Sequence, residues 1–208
     1  VFTVPGDDLD TARGYLDRTM ERATLARKVA GPMGLAVPVQ GGRHVSLRAE
    51  AAARCADTDA VLHPIGGVVP MMETYRYSLL VDVVVSAMGS LPPQRPVHLF
   101  GAGHPIMFAL ATAMGCDLFD SSAYAKFAME DRMLHVRGTV RLEDLRHPVC
   151  DCPVCSRHPP DRLRALPAQE RRALLAEHNL RVCFTEIFAI RQAIADNSLW
   201  DLVETRCR

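Results

Sequence analysis

Long apolar runs are missing from this sequence: nowhere in its 208 residues is there a stretch approaching the ~20 consecutive apolar residues that a membrane span needs. The opening Val1-Phe2-Thr3-Val4-Pro5 carries no basic n-region, so no secretory segment is legible. Lysine is nearly missing as well, Lys28 and Lys126 standing against 22 arginines. Net charge is absent, with 24 basic and 24 acidic residues in formal balance. A neutral chain projects no global basic field, so any approach to nucleic acid must rest on a local patch. The arginine bias suits bidentate contacts to phosphate, but it is read first as a reflection of genome composition. Internal repeats and low-complexity segments are also lacking. Together these absences point to a cytoplasmic, reducing setting without a membrane partner, where thiols stay available for metal.

The apolar fraction of 49% and charged fraction of 23% are those of a soluble globular protein, and the length suits one domain, or one domain with a small appendage. The most specific local pattern is Cys150-Asp151-Cys152-Pro153-Val154-Cys155, followed by Glu177-His178-Asn179. Three thiols within six residues converge when the backbone turns tightly, and a later histidine completes a tetrahedron. Cys150, Cys152, Cys155 and His178 are therefore the expected ligands of one Zn2+ per chain. Such close neighbours form a disulfide only with strain. His147 and His158 are rival ligands, ranked lower because each directly precedes a proline. Four protein ligands leave no open position for water or substrate, so the metal is read as structural.

Elsewhere a strand, a polar or glycine-bearing loop and a helix recur. Asp7 and Asp8 can cap an amphipathic opening helix carrying Leu9, Ala12, Leu16, Met20 and Ala23, closed by Gly31-Pro32. Strands are expected over 35–39, 60–65, 97–100 and 116–119. Helices are expected over 46–56, 75–88 and 105–114, and two more over 168–177 and 180–196. A small hairpin or turn is expected at 136–139. Four short apolar strands joined by helical crossovers describe βα units on a parallel sheet. Because every strand ends in a polar or glycine-rich loop, a barrel is favoured over a doubly wound sheet. A complete barrel has eight strands, and only four are legible here.

Individual motifs leave alternatives open. Gly101-Ala102-Gly103 lacks the third glycine of a dinucleotide fingerprint and reads as a tight turn. Gln40-Gly41-Gly42 and Ile65-Gly66-Gly67 are structural turns or places where a flat ligand meets backbone, with Gln40 offering a donor and an acceptor. Asp117 and Asp120 lie three apart, so only one can face a site at the strand ends. Asp120 is either a turn or cap residue or a carboxylate able to attack a sugar anomeric carbon. His98 and His104 are read as core or locally bonded.

Taken together, Gln40-Gly41-Gly42, Ile65-Gly66-Gly67-Val68-Val69-Pro70-Met71-Met72-Glu73, Val97-His98-Leu99-Phe100-Gly101-Ala102-Gly103-His104-Pro105, Asp117-Leu118-Phe119-Asp120-Ser121 and the Cys150/Cys152/Cys155/His178 set resemble the tRNA-guanine transglycosylase family. The Gly-Gly-Val-Val-Pro and Phe-Gly-Ala-Gly-His-Pro forms resemble its archaeal branch, which acts on the tRNA D-loop. The resemblance spans nearly the whole chain. It implies an α/β fold, the C-terminal half of a (βα)8 TIM-type barrel with a zinc-binding insertion and C-terminal helices. Residues 1–135 would be the barrel half and 136–208 the zinc-binding subdomain with closing helices. The implied activity is exchange of a tRNA guanine for the 7-deazaguanine base preQ0, a step toward archaeosine. By motif, Asp120 would be the nucleophile and Gln40 would read the purine edge. The backbone at Gly67, Val68 and Val69 would bond the base, Phe100 would stack on it, and Tyr124, Lys126 and Arg132 would contact RNA.

The resemblance also has gaps. The family's first four βα units have no counterpart, nor does a carboxylate it carries just ahead of the segment matching Val1-Phe2-Thr3, nor do the carboxy-terminal RNA-binding domains of archaeal members. The expectation is a fragment of a longer protein that needs a complementary amino-terminal half and is not active alone. Expected partners are tRNA, guanine and preQ0, that missing half and, through the zinc region, a second copy. A DNA-modifying 7-deazaguanine transglycosylase is one alternative. A non-catalytic accessory subunit is another, against which the retention of Asp120 argues.

Overall fold

In the computed structural model, which describes residues 3–207, the chain separates into two compact units. One comprises 3–102 and 114–120, the other 103–113 and 121–207.

The first unit opens where Asp8 Oδ1 accepts the Thr11 N–H at 2.8 Å, satisfying an orphan donor at the start of α1 (Leu9–Ala30). Ala12 and Leu16 are its fully buried positions, and Gly31 ends it at φ 54°. Three short strands follow, β1 (His63–Ile65), β2 (Val97–Leu99) and β3 (Leu118–Phe119), parallel and in sequential order. The register sets His63 opposite Val97 and His98 opposite Leu118.

The strand expected over 35–39 is reduced to two parallel bridges, Ala36 to Leu62 and Val39 to Ile65. Pro38 explains the interruption. The Val37 and Val39 N–H groups reach the Leu62 and Pro64 carbonyls at 3.2 and 2.7 Å, so the missing N–H of Pro38 falls on the far side. Two crossover helices, α2 (Val45–Ala56) and α4 (Tyr77–Met88), pack on each other through Leu47, Ala51 and Cys55 and through Leu80, Val83, Val84 and Ala87, each side chain contributing on the order of 1.5–3 kcal/mol when large and fully buried. A short α3 (Val69–Glu73), not foreseen in the sequence, begins with proline in its first turn.

The second unit holds α5 (Phe108–Ala113), α6 (Ala123–Met129), the hairpin of β4 (Arg132–His135) and β5 (Gly138–Arg141), α7 (Pro153–Arg157), α8 (Pro160–Ala165), α9 (Ala168–Ala195) and α10 (Leu199–Cys207). Ala128, Met133, Leu142, Val154, Leu163 and Leu175 form a core beneath the hairpin. The hairpin expected near 136–139 is present, with His135 opposite Gly138. The two helices expected over 168–177 and 180–196 are one continuous helix. His178 and Asn179, mediocre helix formers, are turned inward and bonded, so they do not break it. Asn197, at φ 56°, ends α9 and lets α10 return, where Arg206 forms a bidentate pair with the buried Glu186 at 2.8 and 2.9 Å. Among the described residues no helix is long and apolar enough to cross a membrane.

Asn179 is the polar centre of this unit. Its Oδ1 accepts the Leu134 N–H at 2.7 Å, while Nδ2 donates to the Tyr124 and Arg132 carbonyls at 2.9 and 3.1 Å. One buried amide thereby joins α9 to α6 and β4. Asn179→Ala leaves three backbone groups without this partner and is expected to destabilise the unit by about 3 kcal/mol, read as a lower urea midpoint.

Candidate functional site

In the first unit, parallel pairing sends the segments that follow the strands out at the same sheet end. Asp117 and Asp120 mark opposite ends of β3. Asp117 Oδ2 accepts the Val97 N–H at 2.8 Å, and the Asp117 N–H returns to the Val97 carbonyl at 2.8 Å, fixing the start of the strand. Asp120 stands at the other end with a side chain 57% exposed. Its Oδ1 accepts the Gly101 N–H at 2.9 Å and lies 2.9 Å from His98 Nε2. The histidine approaches off the line of its ring N–H, so this contact is electrostatic rather than a directed hydrogen bond. Among the described residues Oδ2 has no partner. One oxygen is anchored and the other is free.

The loops beside it interlock. Phe100 is 40% exposed, and its ring meets His98 edge-on at 4.7 Å and 81°. Gly101, at φ 73°, lies so close to Val69 that a Cβ would run into that side chain. Gly66 lets the Gln40 amide lie on its backbone, since a Cβ would come 2.8 Å from Nε2. Gln40 is nearly buried and Val68 fully so, which leaves backbone rather than side chain as what the 66–68 loop can offer.

Beneath these loops is Arg48, fully buried on α2 and without a carboxylate partner among the described residues. Its Nε donates to the Gly42 carbonyl at 3.0 Å, and Nη1 to those of Val39 and Gly66 at 3.1 and 2.7 Å. Nη2 is buried and unbonded. Burial lowers its pKa to about 10, which leaves it charged at neutral pH. Three carbonyls thus serve as counter-dipoles to one cation, holding the 40–42 and 66–67 loops together. Sequence reasoning did not single out Arg48. The signal was an arginine on the same helical stripe as the buried Ala51, Ala52 and Cys55.

The second unit contains the metal-ligand cluster. Cys150, Cys152, Cys155 and His178 bring their ligand atoms within 4.8 Å of one another. His178 Nδ1 lies 3.6, 3.5 and 3.5 Å from the three sulfurs. Ligands at the usual metal–sulfur and metal–nitrogen distances of about 2.3 and 2.0 Å, at tetrahedral angles, stand about 3.6 Å apart, so the four fit one divalent ion. His147 and His158, the rivals, are not in the cluster.

His178 Nε2 is 3.1 Å from the Leu134 carbonyl, to which it donates, fixing the tautomer that leaves Nδ1 free to ligate. Burial also holds this imidazole below its ordinary range, in the neutral form a ligand needs. Burial raises the Cys150 and Cys155 thiols, and crowded neighbouring sulfurs add to the effect, a cost that a divalent cation relieves.

Tyr124, Lys126 and Arg132 also belong to this unit, on α6 and at the start of β4. Arg132 stacks over Phe127 at 4.4 Å and donates to Thr139 at 2.6 Å, whereas Lys126 is exposed.

Glycine-lined loops gathered around an amide and a half-free carboxylate, with a separate Cys3His cluster able to hold a metal ion, define the class as a mixed α/β protein. The chain matches the family model described as Queuine tRNA-ribosyltransferase over residues 2–208, and it belongs to that family. It is 50% identical over 206 residues to the tRNA-guanine(15) transglycosylase of Methanothermobacter thermautotrophicus, covering 99% of this chain and 32% of that protein. It is 48% identical over 208 residues to the protein of the same name from Archaeoglobus fulgidus, covering 99% and 43%, and 48% identical over 206 residues to that from Pyrococcus abyssi, covering 99% and 35%. The chain thus spans between 32% and 43% of the length of these relatives.

Two variants test the geometry. Arg48→Met matches bulk but donates nothing, leaving the Gly42 and Gly66 carbonyls unmet, and is expected to cost about 3 kcal/mol of stability in urea unfolding. Cys152→Ala is expected to lower bound metal and folding yield together, measured by elemental analysis of purified protein and by soluble fraction.

Proposed function

We propose that this chain provides the base pocket and nucleophile of a tRNA-guanine transglycosylase that exchanges a D-loop guanine for the 7-deazaguanine base preQ0, toward archaeosine. The observation that carries the reading is the posture of Asp120: on a side chain 57% exposed, Oδ1 is anchored by the Gly101 N–H and Oδ2 has no partner among the described residues. Oδ2 attacks C1′ of the target ribose as the bond from C1′ to the guanine nitrogen breaks. The electron pair leaves with guanine, which takes up a proton, and ribose remains as an ester of Asp120. The incoming base loses its ring-nitrogen proton as that nitrogen attacks C1′ and displaces the carboxylate. Two displacements retain configuration.

Gln40 and the backbone of Gly67, Val68 and Val69 hold the base edge, and the exposed Phe100 ring offers a stacking face. Tyr124, Lys126 and Arg132, which follow Asp120 in sequence, are assigned to the RNA strand. The Cys3His donor set suits Zn2+ in a closed, structural role. The parallel order of segment 36–39, β1, β2 and β3 supports the reading of a carboxyl half of a (βα)8 barrel, completed by an amino-terminal half. A second copy docking through the zinc region and a cytoplasmic setting complete the proposal. The names of the relatives favour tRNA over DNA as substrate.

Asp120→Asn in the full-length protein is expected to abolish exchange of labelled guanine into tRNA and to remove any covalent RNA adduct on denaturing gels. Retained exchange would show that another group attacks, and exchange on duplex DNA but not tRNA would overturn the substrate assignment.

A further inference from the structure

Gln40 has two chemically opposite ends, and nothing about the residue itself decides which one it presents. The decision falls to Thr3, a fully buried residue that sequence reasoning passed over. A hydroxyl has one proton and two lone pairs. Thr3 Oγ1 receives the Gly42 N–H at 3.1 Å and the Gly41 N–H at 3.4 Å, which engages both lone pairs. Its single proton therefore goes to the acceptor it meets among the described residues, Gln40 Oε1 at 2.9 Å. The flipped amide would bring a third donor to an oxygen already full and leave the hydroxyl proton unmet. The carboxamide is thus locked with its oxygen toward Thr3.

What remains is the amino group. Nε2 lies over Gly66, where the lack of a side chain gives it room, bonds to nothing among the described residues, and is not among the sealed polar atoms. Arg48 holds the frame in which this works, since it fastens the carbonyls of Gly42 and Gly66 on either side of Gln40.

We propose that Thr3 is a positioning residue for base selection: by taking the oxygen of Gln40 it obliges that side chain to present two N–H donors, so the site accepts a base edge bearing an acceptor, a 6-oxo purine or its 7-deaza relative, and rejects the 6-amino counterpart. This inference rests on the base-exchange reading. The rejection follows because a 6-amino group would meet another donor, leaving both unpaired in a nearly buried position.

The test uses the full-length protein and two probes, guanine and 2,6-diaminopurine, which differ in the 6-substituent and in the N1 proton that goes with the 6-oxo form. The variants are therefore each compared with wild type on the same pair. The readout is their kcat/KM ratio, which is independent of how much protein is correctly folded. Thr3→Val keeps the shape but has no hydroxyl, freeing the amide to turn. It is expected to raise KM for guanine with kcat little changed, and to shrink the preference for guanine by about tenfold or more. Thr3→Ser, which retains the hydroxyl, is expected to restore the wild-type ratio. An unchanged ratio in Thr3→Val, or a collapsed one in Thr3→Ser, overturns the role given to Thr3. A Gln40→Ala protein that still prefers guanine as strongly as wild type overturns the pocket assignment itself, and a wild-type protein that takes up neither probe overturns base exchange.

Discussion

Parallel pairing fixes the direction in which every following loop of the first unit must leave the sheet. Strands that run the same way end on the same side, so the residues after Val39, Ile65, Leu99 and Phe119 are delivered to one end of the sheet whatever their side chains are. The cost is backbone: loops gathered at one place bring unpaired N–H and C=O groups with them, and a nearly dry environment does not leave such groups unmet. Arg48 answers for the carbonyls of Val39, Gly42 and Gly66, and Thr3 for the N–H groups of Gly41 and Gly42. Glycine at 66 and 101 supplies the close approach that any side chain would block. What these structural requirements leave without a partner among the described residues is the Gln40 amino group, the exposed Phe100 face and one oxygen of Asp120.

In the second unit the equivalent constraint is the meeting of four ligand atoms. His178 can ligate because its other nitrogen is held by the Leu134 carbonyl, and its neighbour Asn179 binds the Leu134 N–H together with the Tyr124 and Arg132 carbonyls. Two consecutive residues of α9 therefore reach both the metal position and the backbone of α6 and β4.

Much of this was legible from residue types and spacing. The Cys150/Cys152/Cys155 run and His178 cluster as the pattern implies, because three thiols in six residues have few ways to be placed apart. The parallel order was legible in the alternation of apolar runs and helices. The first strand was over-read, because Pro38 weakens the ladder. α9 was divided in two, because His178 and Asn179 look like interruptions until their inward partners are known. α6, α7, α8 and α10 were missed, being short or held by contacts such as the Arg206 pair with Glu186.

By itself the sequence determined which chemistries are present: a thiol-rich metal set, glycine-bearing loops after parallel strands, and a carboxylate at a strand end. Those follow from composition and periodicity, which depend only on neighbours along the chain. Only the tertiary structure decided how each group is turned. Which oxygen of Asp120 is free, which end of Gln40 is left unbonded, and which nitrogen of His178 can ligate depend on partners far along the chain: Gly101, 19 residues away, Thr3, 37 away, and Leu134, 44 away. Orientation is a property of those meetings, and no local pattern encodes it.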